Sequence, residues 1–443
     1  MKSFCPLIDS HLQSRHILAH SYQRPYVKVI HFFFRTCSMI NRLLSSGPAN
    51  LTRIFTLVCA CFPLLAHAGD APRVYAGTLG KQPIIVELDL STPSDVTGRY
   101  FYQKYHSDLA LSGTQKGQDL TLTEGMDDDS GKTYPELHLH QNANAGWTGD
   151  WKGPDGKTQK IDLTEKAVTP PADNAEPGWQ TIYEQSPYDY LRLQGLPLKA
   201  SKKETVMGYN LQWWLEPVSK ISFFEITSGY TPEQRARINQ QLRARLWNEV
   251  VSYNACMLQG SRYGADFQQT ITPELLSPDL VSVSIFTSYD CGGAHPDFGD
   301  APLNLDANTG KELSLEDVLW VGKGKPFHYD DANITDASDD PDTGVTFETY
   351  SNYRNKELGP WLSAQFKTIA PKQQKKAREE DDECDFNDPE IWNFPSWYFT
   401  PKGIYFGPSF ARAIRSCEGP TWSVLPYSVV KAHLGGVKVG LPE

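Results

Sequence analysis

The chain has 443 residues, with 42 Lys and Arg against 53 Asp and Glu, a formal net charge of −11 and 12% aromatic residues. A chain this acidic repels nucleic acid and anionic membranes, so neither is an expected partner, whereas a cationic partner would be attracted. Eight cysteines without a Cys-x-x-Cys pair exclude the closely spaced ligand pattern of a structural zinc site, and no metal or cofactor is expected.

In chain order, the first signal is the apolar run at residues 54–65, preceded by Arg42 and Arg53 and followed by Ala66-His67-Ala68. This reads as a secretory signal peptide cleaved after Ala68, with Met39 as the start of translation, because the residues before it carry scattered His, Arg and Pro. The run is shorter than the roughly 20 apolar residues a membrane helix needs, so no membrane span is expected in the mature chain. Residues 1–68 hold seven Lys and Arg against one Asp, so the remainder is more acidic than the whole. The mature cysteines are Cys256, Cys291, Cys384 and Cys417, an even set that in a periplasmic or secreted protein reads as two disulfides. Three connectivities are open. The nearest-neighbour pairs are favoured, since each links a helical or loop segment to a strand region nearby.

Residues 69–168 read as an antiparallel β-rich domain of meander or barrel type. Strands are expected at Ile84–Leu90, Arg99–Tyr105, Leu109–Ser112, Leu120–Glu124, Glu136–His140 and Thr158–Leu163, with Gly- and Asp-rich turns such as Gly113 to Gly117 between them. Thr97-Gly98-Arg99-Tyr100 is echoed by Thr148-Gly149-Asp150-Trp151, each placing a small turn residue before an aromatic that covers one end of the core. Residues 169–178 have the composition of a linker, which leaves residues 179–443 as an α+β domain with helices packed on an antiparallel sheet.

In that second region Thr231 caps a helix whose first residue is Pro232, and Ile238, Leu242, Leu246 and Val250 give it an apolar face. Leu280–Phe286 alternates Val281, Val283 and Ile285 with small hydroxyls and reads as a strand. After it come Cys291-Gly292-Gly293-Ala294-His295-Pro296, a short strand at Pro302–Asp306, a turn at Asn308-Thr309-Gly310 and a helix opened by Ser314. A helix over Glu348–Ile369 should be interrupted at Gly359-Pro360. The acidic stretch Asp330–Asp342 lacks the ligand order of a calcium loop and reads as a mobile loop, and the opposite-sign runs near Lys372–Glu383 read as a solvated helix end.

The hexapeptide is the best functional handle. Its two glycines admit angles other residues resist, and Gly292, Gly293, His295 and Asp297 form the expected binding set. Cys291 with His295 as a nucleophile and base, or His295 with Asp297 as an acid/base or metal pair, both lack the further partners such sites need, so no catalytic or metal residue is assigned. His295 before Pro296 is expected to fix a turn. No Gly-x-Ser-x-Gly elbow, His-Glu-x-x-His helix or phosphate loop occurs, and a glycosidase-type carboxylate pair cannot be picked from so many acids.

The stretch Gly292-Gly293-Ala294-His295 behind a strand, Leu303-Asn304-Leu305-Asp306 with Asn308-Thr309-Gly310-Lys311, the helix start Leu315-Glu316-Asp317-Val318, the strand pair at Tyr398–Phe406 and Val424-Leu425-Pro426-Tyr427 together carry a resemblance over roughly the last half of the chain. They resemble the domain of unknown function that forms the C-terminal half of the lysozyme-sensing anti-sigma factor RsiV and occurs in the peptidoglycan deacetylase PdaC. Cys291 departs from that pattern, and no sigma-binding segment is present. The resemblance implies an exported envelope protein, a non-enzymatic binding module for a cationic, lysozyme-like protein or a cell-wall component. A peptidoglycan- or glycan-active hydrolase using carboxylates, and a structural or accessory periplasmic protein, are the alternatives.

Overall fold

Alternation of apolar and polar residues organises the first region of the chain. In the computed structural model, which describes residues 71–125, 132–260, 264–327, 329, 345–380 and 384–443, eight consecutive strands form a closed antiparallel barrel: β1 (Arg73–Leu79), β2 (Gln82–Asp89), β3 (Val96–Tyr102), β4 (Asp108–Lys116), β5 (Asp119–Glu124), β6 (Glu136–Gln141), β7 (Trp147–Lys152) and β8 (Thr158–Glu165). Leu120, Leu122, Leu137 and Leu139 point inward with Tyr75, Val86, Trp147 and Leu163, while Thr121, His138 and Lys160 are exposed. This is the reverse of a membrane barrel, whose apolar band faces out. The interior is a packed core. Its void of about 10 Å³ is at the lower limit for a single water, so it is no ligand chamber.

The barrel agrees with the β-rich expectation, with local corrections. β1 and β7 were not delimited by the sequence pattern. Thr97-Gly98 and Thr148-Gly149 are not turns but strand interiors, where a Cβ on Gly98 would lie 2.4 Å from the Glu87 carbonyl oxygen and one on Gly149 2.0 Å from that of His138. Gly113 is likewise within β4, and only Gly117, at φ 62°, occupies the turn. The echo has a structural meaning of another kind, since Tyr100 Oη and Trp151 Nε1 both donate to Glu124 Oε2, at 2.6 and 2.7 Å. The signal segment, the translation start and the acidic stretch at Asp330–Asp342 lie outside the described residues.

Residues 166–178 carry no regular secondary structure and lead into two short helices, α1 (Trp179–Gln185) and α2 (Pro187–Leu193). α2 packs on the outside of the barrel, where Tyr188 is buried with Val74, Ile85 and Phe101. Beneath it is a charge cluster. Arg99 reaches Glu87 at 2.8 Å and Asp189 at 3.0 Å, and Arg192 reaches Asp189 at 2.7 Å and Asp108 at 3.2 Å.

The remaining elements are β9 (Lys199–Val206), β10 (Tyr209–Leu215), β11 (Ser222–Ile226), α3 (Pro232–Gln259), β12 (Asp266–Leu276), β13 (Leu280–Asp290), β14 (Asp297–Asp300), β15 (Leu303–Asp306), α4 (Leu315–Val318), α5 (Phe347–Tyr353), α6 (Gly359–Ile369), α7 (Pro371–Glu380), β16 (Ser396–Thr400), β17 (Gly403–Gly407), β18 (Val424–Pro426) and α8 (Tyr427–Val430). They give three antiparallel sheets: β11-β10-β9, β12-β13-β14 with β15 also on β13, and β16-β17-β18. α3 starts at the expected cap Thr231, which also forms a capping box with Gln234, the two exchanging side-chain to backbone bonds. Its four predicted apolar residues are all buried.

β13 is the shared wall of two cores. Val281, Val283 and Ile285 join the core around α3, whereas Leu280 joins the core of β16–β18 and α6. Ser282, on the second side, accepts from Phe399 N at 2.9 Å and donates to Asn304 Oδ1 at 2.5 Å. The small hydroxyls of this strand therefore let a second sheet approach closely. The helix expected over Glu348–Ile369 runs as α5, a π-helical turn at Arg354–Leu358, and α6. The extra residue of the π turn accommodates Pro360, which lacks an N–H and would clash with the carbonyl four residues back in a regular helix.

Burial raises the pKa of Asp189, yet the Arg99 and Arg192 guanidiniums outweigh it and hold the carboxyl down to about 2. Burial wins at Glu87 and Asp108, which are pushed up. A depressed carboxyl stabilises the fold above its unfolded value, near ~3.9, and loses that contribution as pH falls toward the folded value. Asp189→Asn should therefore cost about 3 kcal/mol at pH 7, as expected for breaking a buried ion pair. In paired thermal melts the gap between variant and parent should narrow steadily from pH 4 to pH 2.

Candidate functional site

The hexapeptide leaves the end of β13 and is fastened at once. The structure joins Cys291 to Cys256, in the last turn of α3, with Cα atoms 4.6 Å apart. Gly292 has φ 78°, and its missing Cβ would lie 2.8 Å from the Gln259 carbonyl oxygen, so only glycine fits. Gly293 departs from the expectation. It has no left-handed angle, and a Cβ there would meet only the His295 carbonyl oxygen at 3.9 Å.

His295 and Asp297 come under two arginines that the sequence reading did not pick. Arg412 Nε donates to His295 Nδ1 at 3.1 Å. A guanidinium can only donate, so His295 accepts here when its ring proton is on Nε2. The same Nδ1 lies 3.0 Å from the Pro296 carbonyl oxygen, and protonated there it donates to that carbonyl, the turn-fixing bond expected from sequence. Asp297 Oδ1 pairs with Arg415 Nη1 and accepts from Phe298 N at 2.8 Å. Arg415 also binds Glu418 at 3.0 Å and the Phe298 carbonyl at 2.6 Å, and lies 4.4 Å over the Phe298 ring. The 3-10 turn Arg412–Cys417 that supplies both arginines is held by the Cys384–Cys417 disulfide, Cα to Cα 5.4 Å. The expected binding set is thus a latch between two disulfide-fastened segments, with the charge of Asp297 already compensated.

A second cluster, further along the hydroxyl side of β13, has no ion pair among the described residues, although Arg245 lies close enough to Asp300 to be felt. Asp300, the last residue of β14, accepts from Ser284 Oγ at 3.2 Å and from Ile285 N at 2.9 Å. Pro273 is followed by a register shift in β12, and the residue inside that shift is Glu274. Proline supplies no N–H to a ladder, which makes a bulge the natural outcome, and bulges re-aim side chains. From the facing sheet come Tyr398 of β16 and Tyr405 of β17, stacked at 4.5 Å and 24°.

These four groups feel one another. Burial, and then the charge of Asp300, hold the Glu274 carboxyl above its usual range. Burial raises Asp300 although the Ile285 amide, Ser284 and Arg245 pull it down. Burial, and next Asp300, push Tyr405 up to about 12, and burial with Glu274, Tyr405 and Asp300 raises Tyr398. Among the described residues Glu274 takes no hydrogen bond and no ion pair, and no cation is paired with Asp300. Two half-buried carboxylates beside tyrosine faces can receive an ammonium or guanidinium group, or share a proton.

No family model matches the chain, and no curated protein matches it. Among solved structures, the crystal structure of a member of the DUF3298 family from Bacteroides fragilis NCTC 9343 is similar, at 15% identity and a TM-score of 0.27 over 54% of this chain and 94% of that one.

The two glycines separate experimentally. Gly292→Ala should lower stability by at least about 1–2 kcal/mol, the cost of a left-handed residue with a Cβ, with more from the clash at Gln259. Gly293→Ala should melt within a degree or two of the parent, as read by calorimetry.

Proposed function

We propose that the chain is an exported binding module that captures a cationic group of a protein or cell-wall partner at Glu274 and Asp300. Two disulfides fit an oxidising compartment outside the cytoplasm, and among the described residues no helix is long and apolar enough to cross a membrane. The observation that carries the reading is the half-buried Glu274 carboxylate, which has no hydrogen-bond or ion-pair partner among the described residues and feels the charge of Asp300 and the Tyr398 ring. Charge held without a counterion in a partly desolvated place is relieved by an arriving cation, and a hydrogen bond to a charged group contributes about 1.5–3 kcal/mol. The net charge of −11 steers such a partner toward the chain. The resemblance to the RsiV and PdaC domain supports lysozyme, a cationic protein, as the first partner to try, with a cell-wall component second.

One observation favours a hydrolase as the second reading. A carboxylic acid with a raised pKa beside another carboxylate is the arrangement glycoside hydrolysis uses.

Titration calorimetry of lysozyme into the purified protein should show saturable binding that weakens as salt rises. Glu274→Gln should weaken it at least tenfold, the equivalent of about 1.4 kcal/mol. Asp297→Asn should change it little, because Asp297 already serves Arg415. Binding of undiminished strength to Glu274→Gln would contradict the placement. Clearing of a cell-wall suspension by the parent but not by Glu274→Gln would replace the binding module with the hydrolase.

A further inference from the structure

A groove of about 400 Å³ lies where β11 and β12 begin, lined by residues 218–221, by Tyr253 and Met257 of α3, and by residues 265–269. Among the described residues β11 pairs only with β10, and β12 only with β13, so each turns one side away from its own sheet. The unshared side of an edge strand presents alternate N–H and C=O groups that no neighbour uses. Four consecutive residues at the start of β12, Asp266–Gln269, border the groove. At about 3.4 Å per residue they offer roughly 14 Å of strand edge.

The side chains around that edge alternate in character. Tyr253, Met257, Ile221 and Phe267 make an apolar floor, and Val218 stands 51% exposed at the rim. The Lys220 ammonium on one wall has no ion pair or hydrogen bond among the described residues. On β12, which also lines the groove, the Asp266 carboxylate accepts among the described residues only from Gln268 Nε2, at 3.1 Å. Gln269 donates to Glu249 and Thr287, while its buried Oε1 accepts nothing. A cation before β11 and a carboxylate on β12, both lining the groove and neither in an ion pair among the described residues, suit an occupant that carries both signs, and a free strand edge suits one with a regular peptide backbone.

We propose that this groove binds a short extended peptide, which adds to the open edge of β12, sets apolar side chains on Tyr253 and Met257, and places an acidic group at Lys220 and a basic group at Asp266. Strand addition draws affinity from main-chain bonds and specificity from alternate side chains, and the groove volume lies within the range of sites for ligands of this size. The site is separate from Glu274, which lies in the bulge further along β12, and does not depend on the cation-binding reading.

The test starts with random heptapeptides displayed on phage, selected on the full chain and counter-selected on Met257→Trp, which fills the floor. Enriched sequences should alternate apolar and polar residues and carry an acidic residue. The best is then synthesised in two N-methylated forms, blocking alternate amides. One form should lose at least tenfold in affinity and the other stay within twofold, and bound peptide should slow amide exchange at alternate residues of 266–270. Lys220→Glu, a surface change that leaves folding intact, should shift the selected sequences from acidic to basic. No enrichment on the parent over Met257→Trp, with near-UV spectra showing both folded, would overturn the proposal. So would equal tolerance of both methylation patterns, selections unchanged by Lys220→Glu, or a concentration-dependent dimer that the peptides fail to dissociate.

Discussion

Everything in the second half of the chain depends on one strand having two usable sides. β13 alternates branched apolar residues with serines, and both sides are covered. Val281, Val283 and Ile285 meet the helix that carries Leu242 and Leu246, and Ser282 meets the backbone of Phe399. A serine at 0% exposure would be costly without partners, because a buried hydroxyl loses its bonds to water. Here the Phe399 amide and Asn304 replace that water, and Asn304 in turn donates to the Trp397 carbonyl at 3.0 Å. Small size and hydrogen-bonding capacity are both needed, since a larger residue would hold the facing sheet away.

The same side of β13 produces the candidate site. Where Ser282 is sealed between sheets, Ser284 lies two residues nearer the edge and binds Asp300 instead. The seam is opening there, and its polar groups are no longer fully matched. The bulge after Pro273 adds Glu274, and the facing sheet adds two stacked tyrosines. Electrostatic discomfort at such a point is a common mark of function, because nothing in the packing requires two acids to sit together there. The outer latch is the opposite case. Asp297 and Glu418 share Arg415, and two disulfides hold their loops, so that cluster supports the edge of the seam with its carboxylates already in ion pairs.

Local pattern carried much of the architecture. Short strand-like runs between Gly- and Asp-rich turns announced six of the eight barrel strands, and Thr231-Pro232 with a four-residue apolar spacing announced α3. What failed was long-range. Gly98 and Gly149 read as turns because glycine is common there, whereas their role is to admit a neighbouring strand's carbonyl, a requirement set by barrel packing. The serines of β13 were visible as small hydroxyls, but their partners lie about 20 to 120 residues away. His295 and Asp297 were chosen for their motif, yet Arg412 and Arg415, which define what those residues do, are 117 and 118 positions distant. Glu274 and Asp300 were hidden among many acids. The one local hint was Pro273 within a strand, which marks a bulge.

The most direct measurement is the titration of the Glu274 and Asp300 side-chain carboxyls by carbon-detected NMR, in the free protein and with a saturating cationic partner. The account predicts that both titrate above ordinary carboxylates when free, and that Glu274 drops by at least a unit when the partner's cation is bound. An ordinary titration of Glu274 in the free protein, or an elevated one that the bound partner leaves unchanged, would contradict it.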